Sequence, residues 1–242
     1  MLEEIFECPY LLNLINSYLT NKETIKLTYL NSLFKNQRHK LRFNEQWYLW
    51  ETNLDTWYYD LLTHIVIDFG CISKSSAKIC FAKFPKFLIK LEFGYHFNKK
   101  LTFIIPGSVT HLIFGHEFNK SIPRNFLKFI THLKLGYYFN QNIQNCIPNS
   151  VIHLNFGVFF NQKLKNSIPK YLKSLIVSYD FDQEIEEDDL PDSITHLTFR
   201  GNYCRKLKKF PSSLIFLCAS ETFVENNKEI IPNKVRITYH PR

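Results

Sequence analysis

One phrase is written twice between Thr131 and Leu172. THLKLGYYFNQNIQNCIPNSV is followed, from Ile152, by IHLNFGVFFNQKLKNSIPKYL. His132 matches His153, Gly136 matches Gly157, Phe139-Asn140 matches Phe160-Asn161, and Ile147-Pro148 matches Ile168-Pro169, each 21 residues apart. Self-similarity at a fixed period of this size is the signature of a solenoid, in which each unit buries its apolar face only by stacking on its neighbours. The rest of the chain is therefore read as feeding, capping or using that stack.

Aligned on the phrase L-x-F-G, the units have anchors at Ile67, Leu91, Leu112, Leu133, Leu154, Leu175, Leu197 and Leu217, with a final half-unit at Val235 to Tyr239. The anchor phrase alternates apolar and polar, as in His111-Leu112-Ile113-Phe114, which is the period-2 pattern of a strand. Leu and Phe then point inward, and the intervening residues form an outer column. His111, Ile113, His132, Lys134, His153, Asn155 and His196 fall on that column, which makes it the candidate contact face.

Four further columns follow each strand. Glycines 70, 94, 115, 136 and 157 occupy one position, expected to be a turn with positive φ. Phe97, Phe118, Phe139, Phe160, Phe181, Tyr203 and Phe223 form an aromatic spine. Asn98, Asn119, Asn140 and Asn161, then Asp182, form the adjacent column, read as side chains that satisfy backbone groups of the next coil from within a buried turn. Prolines 85, 106, 148, 169, 191, 211 and 232 precede the next strand, with Pro106, Pro148, Pro169 and Pro191 in the most regular units. Proline at the second position of a turn is the expectation there. One unit departs: Pro123 comes four residues early, and Phe126-Leu127 fills the usual place.

The phrase F-N-x-x-I/L-x-x-x-I-P, at Phe139 to Pro148 and Phe160 to Pro169, resembles the FNIP repeat family, which is related to leucine-rich repeats. The resemblance covers about residues 67–239. It implies a leucine-rich-repeat-like solenoid with one parallel strand per coil and about eight to nine coils. Such repeats often accompany an F-box in proteins of amoeboid eukaryotes and of the large DNA viruses that infect them.

The first sixty residues are read accordingly. Leu11, Leu12, Ile15, Tyr18 and Leu19 recur at helical spacing, Thr20 and Glu23 are spaced as in a capping box, and Ile25, Leu27, Leu30 and Phe34 continue a second run. On the residues alone this is a pair of helices that cap the stack. It also resembles an F-box at Pro9, Leu12, Ile15, Leu19, Ile25, Leu27, Leu30-Asn31 and Phe34, although Cys8 stands where that family has leucine. The resemblance implies that these residues dock a Skp1-type adaptor inside a cullin–RING ubiquitin ligase while the repeats hold a substrate. Residues 43–66 hold Trp47, Trp50 and Trp57. Trp47, Trp50 and Leu54 share a helical face, so the segment reads as an aromatic linker or cap between a module at 1–42 and a solenoid at 67–242.

Charge and motifs limit the remaining functions. Residues 61–179 carry 15 Lys/Arg against 3 Asp/Glu, whereas 180–242 carry 9 against 11. The basic segment suits an acidic protein partner. Its lysines are scattered across repeat positions, which argues against nucleic acid, although phosphate contacts remain the rival reading. In the acidic run, Glu184 falls in register between Lys163 and Lys206, Glu186 between Lys165 and Lys208, and Glu187 opposite Lys209, as cross-coil charge pairs. No phosphate loop or nucleophile motif is present, so no enzyme, cofactor or metal is expected. His111, His132, His153 and His196 share a column without accompanying carboxylates or thiols, which favours a polar ladder over a zinc site. The six cysteines (8, 71, 80, 146, 204, 218) contain no C-x-x-C pair, and the acidic start is unlike a signal peptide. The expected location is intracellular, cytoplasmic or nuclear, or the host cytoplasm if the chain is viral. The expectation is thus an α+β chain: a short helical module, then a repeat solenoid acting as a non-catalytic protein-binding adaptor, with a free-standing scaffold as the alternative.

Overall fold

The computed structural model describes residues 87–239 and Phe84, together with the backbone of 47–49 and 64–67. Ten strands form one sheet in sequence order: β1 (Trp47–Leu49), β2 (His64–Ile67), β3 (Lys90–Phe93), β4 (His111–Ile113), β5 (His132–Lys134), β6 (His153–Asn155), β7 (Ser174–Val177), β8 (His196–Phe199), β9 (Phe216–Ala219) and β10 (Arg236–Tyr239). Every pairing is parallel, and equivalent residues of successive coils face each other: Leu91 with Leu112, Leu112 with Leu133, Leu133 with Leu154. A parallel sheet in strict chain order, with each coil returning behind it, is a solenoid.

The strand alternation places Leu91, Leu112, Leu133, Leu154, Leu175, Leu197 and Leu217 in the core and leaves the residues between them at the surface. Each spine residue from Phe97 to Phe223 is buried. Successive rings stack at 5.8, 5.9 and 6.3 Å from Phe97 to Phe160. Within a coil, the inward strand residue packs on the same ring: Phe93 on Phe97, Phe114 on Phe118 and Phe156 on Phe160, all at 4.1 Å. Each buried ring stabilises the stack by about 2–3 kcal/mol.

The asparagine column is a hydrogen-bond ladder. Asn98, Asn119, Asn140 and Asn161 each accept, through Oδ1, the backbone N–H of the residue 21 further on, at 3.0 Å. Gln141, Gln162 and Gln183 donate to the same oxygens at 2.9–3.0 Å. Contrary to expectation the column is not buried; it lies at a half-exposed edge, because its task is to join turns at the surface rather than to fill the core.

Several other expectations are corrected. The glycine column does not need positive φ: among the described glycines only Gly201 has it, at φ 67°, and the left-handed turns belong to Asn145 and Asn166. The constraint is steric. A Cβ on Gly115, Gly136 or Gly157 would stand 1.8, 2.2 or 1.7 Å from the carbonyl oxygen of the preceding column member. The prolines sit one place earlier in their turns than expected. Pro106, Pro148, Pro169, Pro191, Pro211 and Pro232 are the first residue, whose carbonyl accepts the N–H three residues on, at 2.9–3.1 Å. In the departing coil Leu127 takes this role for Ile130, and Pro123 closes an extra turn on Phe126.

The first anchor is Ile65, not Ile67, since Ile65 pairs with Leu91. The sheet begins earlier still, because Trp47-Tyr48-Leu49 pairs with Ile65-Val66-Ile67 inside the segment read as a linker. Aromatic and β-branched residues suit strands, and the helical spacing of Trp47 with Trp50 misled there. The helical module at 1–42, with Pro9, Leu12, Ile15, Leu19, Ile25, Leu27, Leu30 and Phe34, lies outside the described residues.

The one helix among the described residues is α1 (Glu221–Asn227). Ser220 caps it by accepting the Phe223 N–H at 3.2 Å. The helix replaces an extended turn and keeps the spine through Phe223; Val224 takes the ladder position, and buried Asn227 instead accepts the N–H of Leu207 in the preceding coil at 2.7 Å.

Candidate protein-binding face

The outer strand column forms a continuous strip across the sheet. His111, His132 and His153 stand opposite one another in adjacent strands, and their rings stack at 4.0 and 4.3 Å. Ser174 interrupts the row and His196 resumes it, with Phe216 5.8 Å beyond. The parallel second row runs Glu92, Ile113, Lys134, Asn155, Ile176 and Thr198.

The threonines before His132 and His196 fix those two rings. Thr131 donates its hydroxyl proton to the Thr110 carbonyl at 3.2 Å, so the 2.9 Å contact with His132 must be a donation from Nδ1 to the hydroxyl oxygen. Thr195 and His196 repeat this, with the Lys173 carbonyl as acceptor. The neutral tautomer therefore carries its proton on Nδ1 and leaves Nε2 as an acceptor. Partial burial lowers the pKa of both His111 and His132; Lys90 and His153 add to the effect at His111, and His111 and His153 at His132. Neutral imidazoles are thus favoured near pH 7. Stacked, nearly parallel rings aim their lone pairs side by side rather than at one point. Consistent with that, no described group of three or more His, Cys, Asp or Glu side chains is placed to hold a metal.

Beside the strip, at the C-terminal ends of the strands, lies a row of rings that the sequence reading did not single out. Tyr95 stacks on His116 at 4.3 Å and His116 on Tyr137 at 4.2 Å, both nearly parallel. Tyr138 stacks on Phe159 at 5.1 Å, and Tyr137 meets both edge-on. The signal was present: Gly94, Gly115 and Gly136 are followed by Tyr95, His116 and Tyr137. It was masked by attention to the buried spine two residues further on.

Comparison with known families falls on the same columns. The model of the FNIP repeat matches residues 80–117, 118–159, 160–202 and 181–218, more than half of the sequence. The chain belongs to the FNIP repeat family. A crystal structure described as CroV588, a novel circular LRR protein structure, superimposes with a TM-score of 0.60 and 39% identity. The match covers 64% of this chain and 24% of that one, so the chain spans about a quarter of that structure's length. No curated protein matches.

In this FNIP-repeat chain the family phrase marks structural positions: Phe139 and Phe160 in the spine, Asn140 and Asn161 in the ladder, Pro148 and Pro169 at the corner. The variable residues on the outer strip and the ring row are those the fold leaves at the surface. Charge differs along the stack. The carboxylates described between 87 and 179 are Glu92, paired with Lys90 at 3.7 Å, and Glu117, against His96 at 3.0 Å. Beyond 180, Asp182 pairs with Arg205 at 2.8 Å, Glu186 with Lys208, and Asp192 with Lys209 at 3.3 Å. Lys209 was expected opposite Glu187. The uneven coil lengths there shift the register, and Asp192 also accepts the Ser212 N–H at 2.8 Å. Among the described residues no helix is long and apolar enough to cross a membrane.

Proposed function

We propose that this FNIP-repeat solenoid is a non-catalytic protein-binding adaptor that engages its target through the outer sheet face. The observation that carries this reading is the contrast between a uniform interior of Leu and Phe columns and a chemically varied outer strip of His132, Lys134, His153, Asn155 and His196. Extended solenoid surfaces of this kind suit protein recognition. The strip offers acceptors at Nε2 of His132 and His196, a cation at Lys134 and apolar contact at Ile113 and Ile176.

The finer proposal is that the chain is the substrate-recognition subunit of a Skp1–cullin–F-box type ubiquitin ligase. Its support is the sequence resemblance of Pro9 to Phe34 to an F-box, together with the FNIP repeats that follow. Co-purification with a Skp1-type protein tests it: retention by the parent chain, loss with Leu19→Asp and no effect of His132→Ala are expected. A parent chain that retains none leaves the free-standing scaffold as the function.

A further inference from the structure

We infer that the sheet face has a defined seat for an acidic, extended peptide segment bearing ring side chains, in the groove between the outer strip and the Tyr95–His116–Tyr137 row. This rests on the sheet-face reading above and specifies the partner's chemistry. The groove has a volume of about 460 Å³ and crosses four coils, from Glu92 through Ile113 and Lys134 to Asn155, with Arg200 also reaching its lining. Four strands ~4.8 Å apart span a length that holds about four residues of extended chain.

Three observations choose the occupant. The first is charge: among the described residues neither Lys134 nor Arg200 has an ion-pair partner, while Glu92, the one carboxylate on the lining, is paired with Lys90. The second is an unmet hydrogen bond. Asn155 Oδ1 and His116 Nδ1 are both shielded from solvent without a partner, and both residues line this groove. A shielded acceptor without a donor is costly, and a peptide N–H supplies one to Asn155. The third is how the rings are used. His116 is stacked between Tyr95 at 4.3 Å and Tyr137 at 4.2 Å, so both of its faces are taken and each tyrosine gives it one face. Ring edges meet the face of an incoming aromatic side chain in the favourable edge-to-face arrangement. Single-stranded nucleic acid needs a run of open ring faces on which bases stack, and the centre of this row has none, so the peptide is favoured.

The test uses the full chain and short fluorescein-labelled peptides, read by anisotropy: alternating Glu and Tyr, alternating Lys and Tyr, and an oligodeoxythymidine. The Glu/Tyr peptide is expected to bind best. Lys134→Glu with Arg200→Glu is expected to weaken it by about tenfold or more, the scale on which reversed charge acts at an interface, and to confer binding of the Lys/Tyr peptide. Tyr137→Ala weakens binding of the Glu/Tyr peptide. Lys163→Glu with Lys165→Glu, off the sheet face, leaves it unchanged, and circular dichroism confirms that each variant is folded. Equal binding of the two peptides, equal weakening by the off-face pair, or tighter binding of the oligonucleotide overturns the inference. The broader reading fails separately. If His132→Glu with His153→Glu abolishes capture of cellular proteins while the groove variants do not, the sheet face stands and the groove does not. If neither set alters capture, both fall.

Discussion

The coils of β3 to β6 and those of β7 to β10 solve the same packing problem differently. In the first set, three columns repeat one residue type over three or four coils: glycine against carbonyl oxygen, asparagine oxygen against the next N–H, and, from β4 to β6, imidazole against imidazole. In the second, the glycine position is taken by Ser178, whose hydroxyl donates to the Phe160 carbonyl, and by Ser220, which caps α1. The ladder passes from asparagine to Asp182, which pairs with Arg205, and three cross-coil ion pairs join the turns. In the first set Lys90 pairs with Glu92, and Lys134 has no ion-pair partner among the described residues. The second set joins Asp182, Glu186 and Asp192 to cations of its own, Arg200 being left without an ion-pair partner among the described residues. The difference assigns partner electrostatics to the basic coils and internal stitching to the acidic ones.

The largest effect in the regular coils comes from the spine. Phe139→Ala is expected to cost about 3–5 kcal/mol through lost burial and the cavity left behind, measured by denaturant unfolding. An unchanged midpoint removes Phe139 from the core. Next, Gly157→Ala forces a methyl group onto the Gly136 carbonyl and is expected to cost about 1–3 kcal/mol or more by overpacking. If alanine is tolerated there, the close approach of the coils is wrong. Asn140→Ala deprives the Asn161 N–H of its acceptor and the Gln162 amide of the nearer of its two, for about 1 kcal/mol at this exposed site. Faster hydrogen exchange at Asn161 is its specific mark.

The two regions also titrate apart. His111 and His132 have lowered folded-state pKa values, so the unfolded chain binds the proton more readily. Their contribution is present above the unfolded value of about 6.5 and is lost as pH falls through the lower folded value. Asp182 and Glu186 are held below their usual values by hydrogen bonds from Arg205 and Lys208, so that stitching is lost only in the acid range. Melting curves against pH should show the mildly acidic loss diminish in His132→Gln and the acidic loss diminish in Glu186→Gln. The smallest expected effect is the coupling of Glu186 with Lys208 in a double-mutant cycle: coupling between exposed charges is weak, and it fades with salt. Zero coupling at low salt would refute the register of that pair.

Much of this architecture is legible in the sequence, because a repeated residue at fixed spacing announces a column. The inward Leu and Phe, the asparagine ladder and the parallel strands all follow from the period. What the period does not reveal is what a column touches. Gly115, Gly136 and Gly157 looked like turn residues, since contact with the next coil's carbonyl is absent from any local pattern. β1 and β2 were misplaced because the links between β1, β2 and β3 depart from the usual length. The Tyr95, His116 and Tyr137 row escaped notice because its residue type varies while its geometry does not.

The most direct test of the account is quantitative capture of cellular proteins by the parent chain and by a triple variant of the outer strip, His132→Glu, Lys134→Glu and His153→Glu. These residues lie off the core, so the variant should melt close to the parent. The account predicts a folded variant that has lost the parent's partner set. A folded variant that keeps the same partners would place recognition elsewhere on the solenoid and contradict it.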